Sequence, residues 1–356
     1  MITPQCRPLL IGSFPGRSHE ETVRAITTVT PDFPSWPQMP VYRPEGMIEQ
    51  FLEGFPGLTE KDGKSWIDTT APGFDEALLA FFEDYLACLE DPAALAASRF
   101  AFSAEAGRGL AALLAHCRRL PQAPFALKGQ ITGPVTFATT VVDERERAIF
   151  YHDTLRDVAI KMLAMKARWQ ARMMREISDT VLIFQDEPGL AGFGSSAFIT
   201  ITKNEVQEAI GEVSAAIHEE GALCGAHVCA NTEWPLLLEK HVDVLSYDAF
   251  SYFDRLSLYQ AELVGFMRRG GLLATGIVPT APEFIEQADA DELTRRWFEQ
   301  CETLAGFGLE RQQIFDQSFI TPSCGLGSLT ETQAAKVLGL LADVSKAVRQ
   351  RFPQVE

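Results

Sequence analysis

Positive charge is in short supply. The 356-residue chain has 31 Lys and Arg against 48 Asp and Glu, a net charge of −17. Nucleic acid and anionic membrane both reward clustered Lys and Arg, so neither is expected as the main partner. No apolar run of about eighteen residues occurs, and no transmembrane helix is expected. Residues 1–8 lack a basic stretch followed by an apolar core, so no signal peptide is expected and the protein is expected in the cytoplasm. Seven cysteines in so long a chain do not make a disulfide framework. They are expected to stay reduced, free to bind metal. Cys88 and Cys117 lie in Ala/Leu-rich stretches and read as small buried apolar residues. A Gly-x-Gly-x-x-Gly run after the first strand is missing, which weighs against an open doubly wound sheet. A mid-chain linker rich in Gly and Ser is missing too, so one domain over residues 1–356 is expected.

What is present is ordinary for a chain that buries a core: 46% hydrophobic and 22% charged residues. Strands are expected over residues 7–14, 123–131, 180–184, 222–228, 242–247, 271–277 and 313–319. Helices are expected over 20–29, 75–89, 104–120, 145–178, 203–220, 234–240, 254–269, 291–305 and 331–352, with another starting over 46–53. The Pro- and aromatic-rich stretch 31–44 reads as an irregular loop, and 62–72 as a polar insertion. From residue 123 onward strand and helix alternate, which implies parallel strands. The expected fold class is α/β: a single (β/α)8 barrel with an N-terminal elaboration. In such a barrel the C-terminal strand ends share one face.

Polar clusters follow these apolar runs. His227 and Cys229 are two apart, so a strand would turn both side chains to the same face. Read alone, the pair also fits ordinary core residues. Asp248 ends the run 242–247, and Cys324 follows the run 313–320. Imidazole and thiolate suit Zn²⁺, and ligands drawn from distant segments suit a catalytic rather than a structural site. Such a site lowers the pKa of an incoming thiol. Asp248, the hard oxygen donor of the four, would be the displaceable ligand; a solvated loop carboxylate is the other reading. Asp186 and Glu187 stand together at a strand end, suited to a substrate ammonium, to proton transfer, or to a helix N-terminus. Gly12 and Ser13 offer N–H groups and a hydroxyl to a substrate carboxylate, or form only a turn. Glu49 lies on a helix face and carries no meaning by itself.

Taken together, Ile11-Gly-Ser-Phe-Pro15, Met47-Ile-Glu-Gln-Phe51, Ile131-Thr-Gly-Pro-Val-Thr136, Phe184-Gln-Asp-Glu-Pro188, Ala226-His-Val-Cys229, Val242-Asp-Val-Leu-Ser-Tyr-Asp248 and Pro322-Ser-Cys-Gly-Leu326 carry a resemblance. In this order and over most of its length, the chain resembles the catalytic half of cobalamin-independent methionine synthase. The wider group includes uroporphyrinogen decarboxylase and the zinc methyltransferases acting on coenzyme M. The resemblance implies a (β/α)8 barrel, Zn²⁺ held by His227, Cys229 and Cys324, and Asp248 where the family has a Glu. It implies homocysteine held at Ser13, Glu49 and Asp186.

Three departures stand out. The full-length synthase has two barrels and this chain has one. The family's folate-stacking Trp is replaced by Thr140. Its catalytic His is missing, with Ala274 or Thr275 in its place. A methyl group on a tertiary amine leaves only when the nitrogen is protonated, whereas a methyl group on corrinoid cobalt needs no acid. The expected activity is therefore a zinc-dependent S-methyltransferase of methionine biosynthesis, acting on homocysteine with a methylcorrinoid protein as donor. The competing readings are a methyltransferase for another thiol such as coenzyme M, a decarboxylase of the uroporphyrinogen type, and a non-catalytic zinc-stabilised binding module.

Overall fold

The computed structural model describes residues 2–195, 198, 200–239 and 241–352. Two short strands, β1 (Leu58–Lys61) and β2 (Lys64–Ile67), form an antiparallel hairpin. Six more strands follow: β3 (Leu127–Thr132), β4 (Val181–Asp186), β5 (Leu223–Val228), β6 (Val244–Tyr247), β7 (Leu272–Val278) and β8 (Ser318–Pro322). They make one curled parallel sheet in sequence order, β3-β4-β5-β6-β7-β8. Almost every residue of these strands is buried, as near-continuous apolar runs require when both faces are covered.

Strand parity sorts the side chains into two cores. One face, including Ile183, Leu245 and Leu273, joins the large cluster built with the helices. The other, with Leu182, Phe184, Val244, Leu272 and Phe319, packs into a separate inner cluster that Leu9 and Phe33 complete from the N-terminal segments. The connecting helices include Asp153–Arg175, Lys203–Glu219, Ala290–Gly306 and the closing Glu331–Arg351. Capping boxes start two of them, Thr202 with Glu205 and Thr330 with Gln333. No helix among the described residues is long and apolar enough to cross a membrane.

Beyond its two edges the sheet is continued by irregular extended chain. The strand expected over 7–14 is not a regular strand. Leu9 N donates to Ile320 O (2.9 Å), and Ile320 N to Arg7 O (3.1 Å), at the β8 edge. At the β3 edge, Lys128 N donates to Pro34 O (3.0 Å), and Trp36 N to Lys128 O (3.3 Å). The two segments meet where Phe14 N donates to Gln38 O (2.8 Å) and Gln38 N to Gly12 O (3.0 Å). Pro8, Pro34 and Pro37 have no N–H to give, which limits these contacts to isolated bridges.

Three further expectations are corrected. The strand expected over 313–319 is a helix, Arg311–Asp316, followed by β8. Adjacent apolar residues such as Ile314 and Phe315 fit either period over so short a run. The polar insertion 62–72 overlaps the hairpin: Asp62 (φ 52°) and Gly63 (φ 77°) make its turn, the left-handed pair a two-residue connection needs. The helix expected over 254–269 is two helices, Ala249–Leu256 and Gln260–Arg268. Of the helix expected over 234–240, Pro235–Leu238 is helical, and Lys240 lies outside the described residues.

Gly276 on β7 is hemmed in by the main chain of β6 on one side and of the β8 end on the other. A methyl group there would stand 2.4 Å from Tyr247 O and 2.9 Å from Ser323 Cα, both main-chain atoms that cannot rotate away. Gly276→Ala is expected to lower stability by about 1–3 kcal/mol, read as a lower urea midpoint. A midpoint equal to the parent's would mean that strand spacing is not set at this residue.

Candidate metal centre and substrate cradle

Cross-strand register builds the site in a row. Thr132 of β3 pairs with Asp186 of β4, Asp186 with His227 of β5, His227 with Ser246 of β6, and Ser246 with Ala274 of β7. Asp186, His227 and Ser246 each follow by two residues a position over the inner core (Phe184, Gly225, Val244), so parity turns all three inward above it.

His227 is 3% exposed. Its Nδ1 lies 2.9 Å from Ser246 Oγ. With Nδ1–H as the donor, the Nε2 lone pair is free, and Nε2 is buried without a hydrogen-bond partner. Cys229, two residues on, and Cys324, in the turn after β8, bring their sulfurs to it. The ligand atoms of His227, Cys229 and Cys324 all lie within 4.8 Å of one another. Hydrogen bonding with Cys324, then the His227 imidazole, holds the Cys229 thiol well below its usual range. The same pairing, with burial, pushes Cys324 up.

This donor set fits a borderline-soft divalent metal. Two sulfurs and an oriented imidazole converge, and the imidazole's second nitrogen is fixed by a hydroxyl, the outer-shell support such ligands require. Asp248 is not part of this group. It caps the helix Ala249–Leu256, its Oδ1 accepting from Ser251 N at 2.8 Å. Burial is the main cause that raises its carboxyl, with the Cys229 charge a lesser one.

The adjacent acids of β4 separate by role. Asp186 Oδ1 is buried with no partner. Burial raises its carboxyl, and the charges of Lys128 and His227 oppose the shift. Glu187 turns away and accepts from Val135 N (2.9 Å), Thr136 N (2.8 Å) and Thr136 Oγ (2.6 Å), at the start of the helix Pro134–Thr140. It is a strut for the Thr132-Gly-Pro turn.

Gly12 and Ser13 flank the Cys324 turn. Ser13 O accepts from Leu326 N (2.9 Å), and Ser13 Oγ from Gly327 N (3.2 Å). Gly12 has φ 146°, and a methyl group on it would stand 2.7 Å from the Gln130 amide, so another residue is disfavoured twice over. Glu49 is exposed and lines a cavity of about 560 Å³ with Arg43, Glu53 and Glu60. Its segment is tied to the sheet where Thr132 Oγ donates to Met47 O.

Comparison with known proteins adds the fold. No family model and no curated protein matches the chain. Two methyl-transfer enzymes share its architecture. One is a B12-independent methionine synthase from Shewanella sp. W3-18-1, in complex with selenomethionine; the TM-score is 0.56 at 14% sequence identity, covering 97% of this chain and 98% of that one. The other is a methyltransferase from Methanosarcina mazei, with a TM-score of 0.50 at 13% identity, covering 91% and 84%. At these identities the likeness is one of fold.

Two neighbours of the site went unremarked in the sequence. Ser246, which orients His227, is signalled only by its parity with Asp248. Lys128 is 1% exposed on β3, and its Nζ lies 4.6 Å from the centre of the Phe184 ring. Burial pushes it down to about 8, with Asp186 opposing. A Lys and a Gln at alternate positions of an apolar strand, Ala126-x-Lys128-x-Gln130, were the available signal.

Burial pushes Glu187 up to about 7, against an ordinary value of 4.5. Its folded pKa is raised, so its contribution to stability is fullest below pH 4.5 and is lost as pH climbs through 7. Glu187→Gln is expected to flatten the fall in urea stability across that window. An unchanged slope would assign the pH dependence to other groups.

Proposed function

We propose that the protein is a zinc-dependent S-methyltransferase that transfers a methyl group to a thiol, with homocysteine the acceptor and methionine the product. The observation that carries this reading is the buried, unpartnered Nε2 of His227 beside the Cys229 and Cys324 sulfurs. A desolvated nitrogen costs about 1–3 kcal/mol when it has no partner, and a bound cation would supply one. His227, Cys229 and Cys324 would hold Zn²⁺, with Asp248, whose Oδ1 caps the next helix, as the fourth, weaker ligand. Zinc bound there would lower the pKa of an incoming thiol and keep it as a thiolate at neutral pH. The fold likeness to a methionine synthase in complex with selenomethionine supports a methionine-like product. In this reading the two irregular segments 7–14 and 33–38 complete an eight-stranded barrel around the site, and the enzyme works in the cytoplasm.

The chain's own residues suit an amino-acid thiol. Asp186, with a buried oxygen free, would take the substrate ammonium. The Gly12–Ser13 segment would take its carboxylate, and Glu49 would approach the ammonium from the rim. Transfer forms a carbon–sulfur bond while the methyl–donor bond breaks, and the donor keeps the electron pair. A tertiary-amine donor needs a proton at that moment. Ala274 packs in the inner apolar cluster, and the Thr275 hydroxyl is engaged with Tyr247, so neither side chain offers an acid. Thr140 is exposed at the end of its helix and gives no stacking surface. A methylcorrinoid donor fits this poverty of acids.

Purified protein is expected to carry zinc at close to one equivalent, and to form methionine from methylcobalamin and homocysteine. His227→Ala and Cys324→Ser are expected to lose most of the metal and the activity together. Variants that keep both would overturn the reading. Preference for mercaptoethanesulfonate over homocysteine in a competition assay would move the acceptor to another thiol class.

A further inference from the structure

Lys128 is a buried cation that the reaction above leaves without a task. It stands beneath the metal group, over the Phe184 ring, and its Nζ donates to the Ile11 carbonyl. A second bond, 3.3 Å, runs to Gln130 Oε1. Gln130 Nε2 in turn donates to Trp36 O (3.3 Å), and its amide fills the space that the bare Gly12 leaves. Lys128 and Gln130 together therefore hold both irregular segments to the regular sheet. The chain of contacts continues from Ile11 to Ser13, whose hydroxyl accepts from Gly327 N. A methyl group on Gly325 would stand 2.1 Å from that hydroxyl. Gly325 is the residue after Cys324.

We propose that Lys128 is a positioning residue: through Ile11 and the Ser13 hydroxyl it sets where the Cys324 sulfur stands, so one buried cation aligns both the substrate-carboxylate segment and the third metal ligand. The inference rests on the metal reading above. Its physical basis is that Cys324 lies in a turn rather than in the sheet, whereas His227 lies in β5 and Cys229 directly follows it. The turn takes its position from what packs against it: Val278 and Thr280 hold Ser323 on the near side of Cys324, and Ser13 holds Leu326 and Gly327 on the far side. Lys128 is suited to the task because its bond to a main-chain carbonyl is shielded from water, where such bonds are strongest.

The test uses Co²⁺ added to the metal-free full chain, with thiolate-to-cobalt absorption reporting how many sulfurs bind. The parent is expected to give a two-thiolate spectrum, and Cys324→Ser a one-thiolate spectrum. Lys128→Met and Ser13→Ala, checked for folding by circular dichroism, are expected to weaken Co²⁺ binding by about tenfold or more and to shift the spectrum toward that of Cys324→Ser. A parent without thiolate absorption would sink the metal reading itself. A two-thiolate parent with both variants unchanged would sink only the relay. Should Lys128→Met fail to fold, Ser13→Ala decides alone: parent-like affinity and spectrum in that variant overturn the proposal.

Discussion

A desolvated imidazole nitrogen facing two sulfurs is the constraint on which this molecule depends. Folding strips water from His227: its Nδ1 is paired with Ser246 Oγ, and its Nε2 is buried without a hydrogen-bond partner. The Cys229 and Cys324 sulfurs lie within reach of an ion shared with that imidazole. Such an arrangement is costly for an ordinary core and natural for a ligand set. The row Thr132, Asp186, His227, Ser246 and Ala274 holds it in place, because neighbouring strands of one sheet cannot shift separately.

Below that row the inner face changes character by layers. Leu182 pairs with Lys128 in the lowest row, and Phe184, Val244 and Leu272 make the apolar row above it, the Phe184 ring against the Lys128 ammonium. Asp186 and His227 lie above them. Each polar group therefore has low-dielectric material beneath it and the strand ends above, so charge interactions are strong where a ligand would meet them. The outer helices take no part in this chemistry. Their buried faces supply the large cluster that keeps the curled sheet from opening.

Much of this was legible in the sequence, for reasons that differ by residue. His-x-Cys after an apolar run identified the β5 end, because strand parity is a local rule. Cys324 could be placed after the last strand, although that strand was drawn five residues too early at its start; Ile314 and Phe315 satisfy both periods. The residues alone left Asp186 and Glu187 side by side and only the resemblance named Asp186; the structure adds that Glu187 is spent on Thr136 and Val135. The two irregular segments at the sheet edges were legible only as one strand and one loop. They are joined by main-chain bonds between Phe14, Gly12 and Gln38, and tied to the sheet by Lys128 and Gln130, whose partners Ile11 and Trp36 lie roughly a hundred positions away, beyond any local pattern. The hairpin turn at Asp62-Gly63 did carry a local signal, one that the polar composition around it obscured.

The alternation that lifts Asp186, His227 and Ser246 above Phe184, Gly225 and Val244 also limits how such a site can change over generations. A single-codon insertion or deletion inside any of these strands reverses inside and outside for everything downstream in that strand, and a donor would be thrust into the helix-facing core. Length variation among descendants of this gene is therefore channelled to the helices and to the loops at the opposite end of the sheet. The strand segments can drift in residue identity but not in residue number.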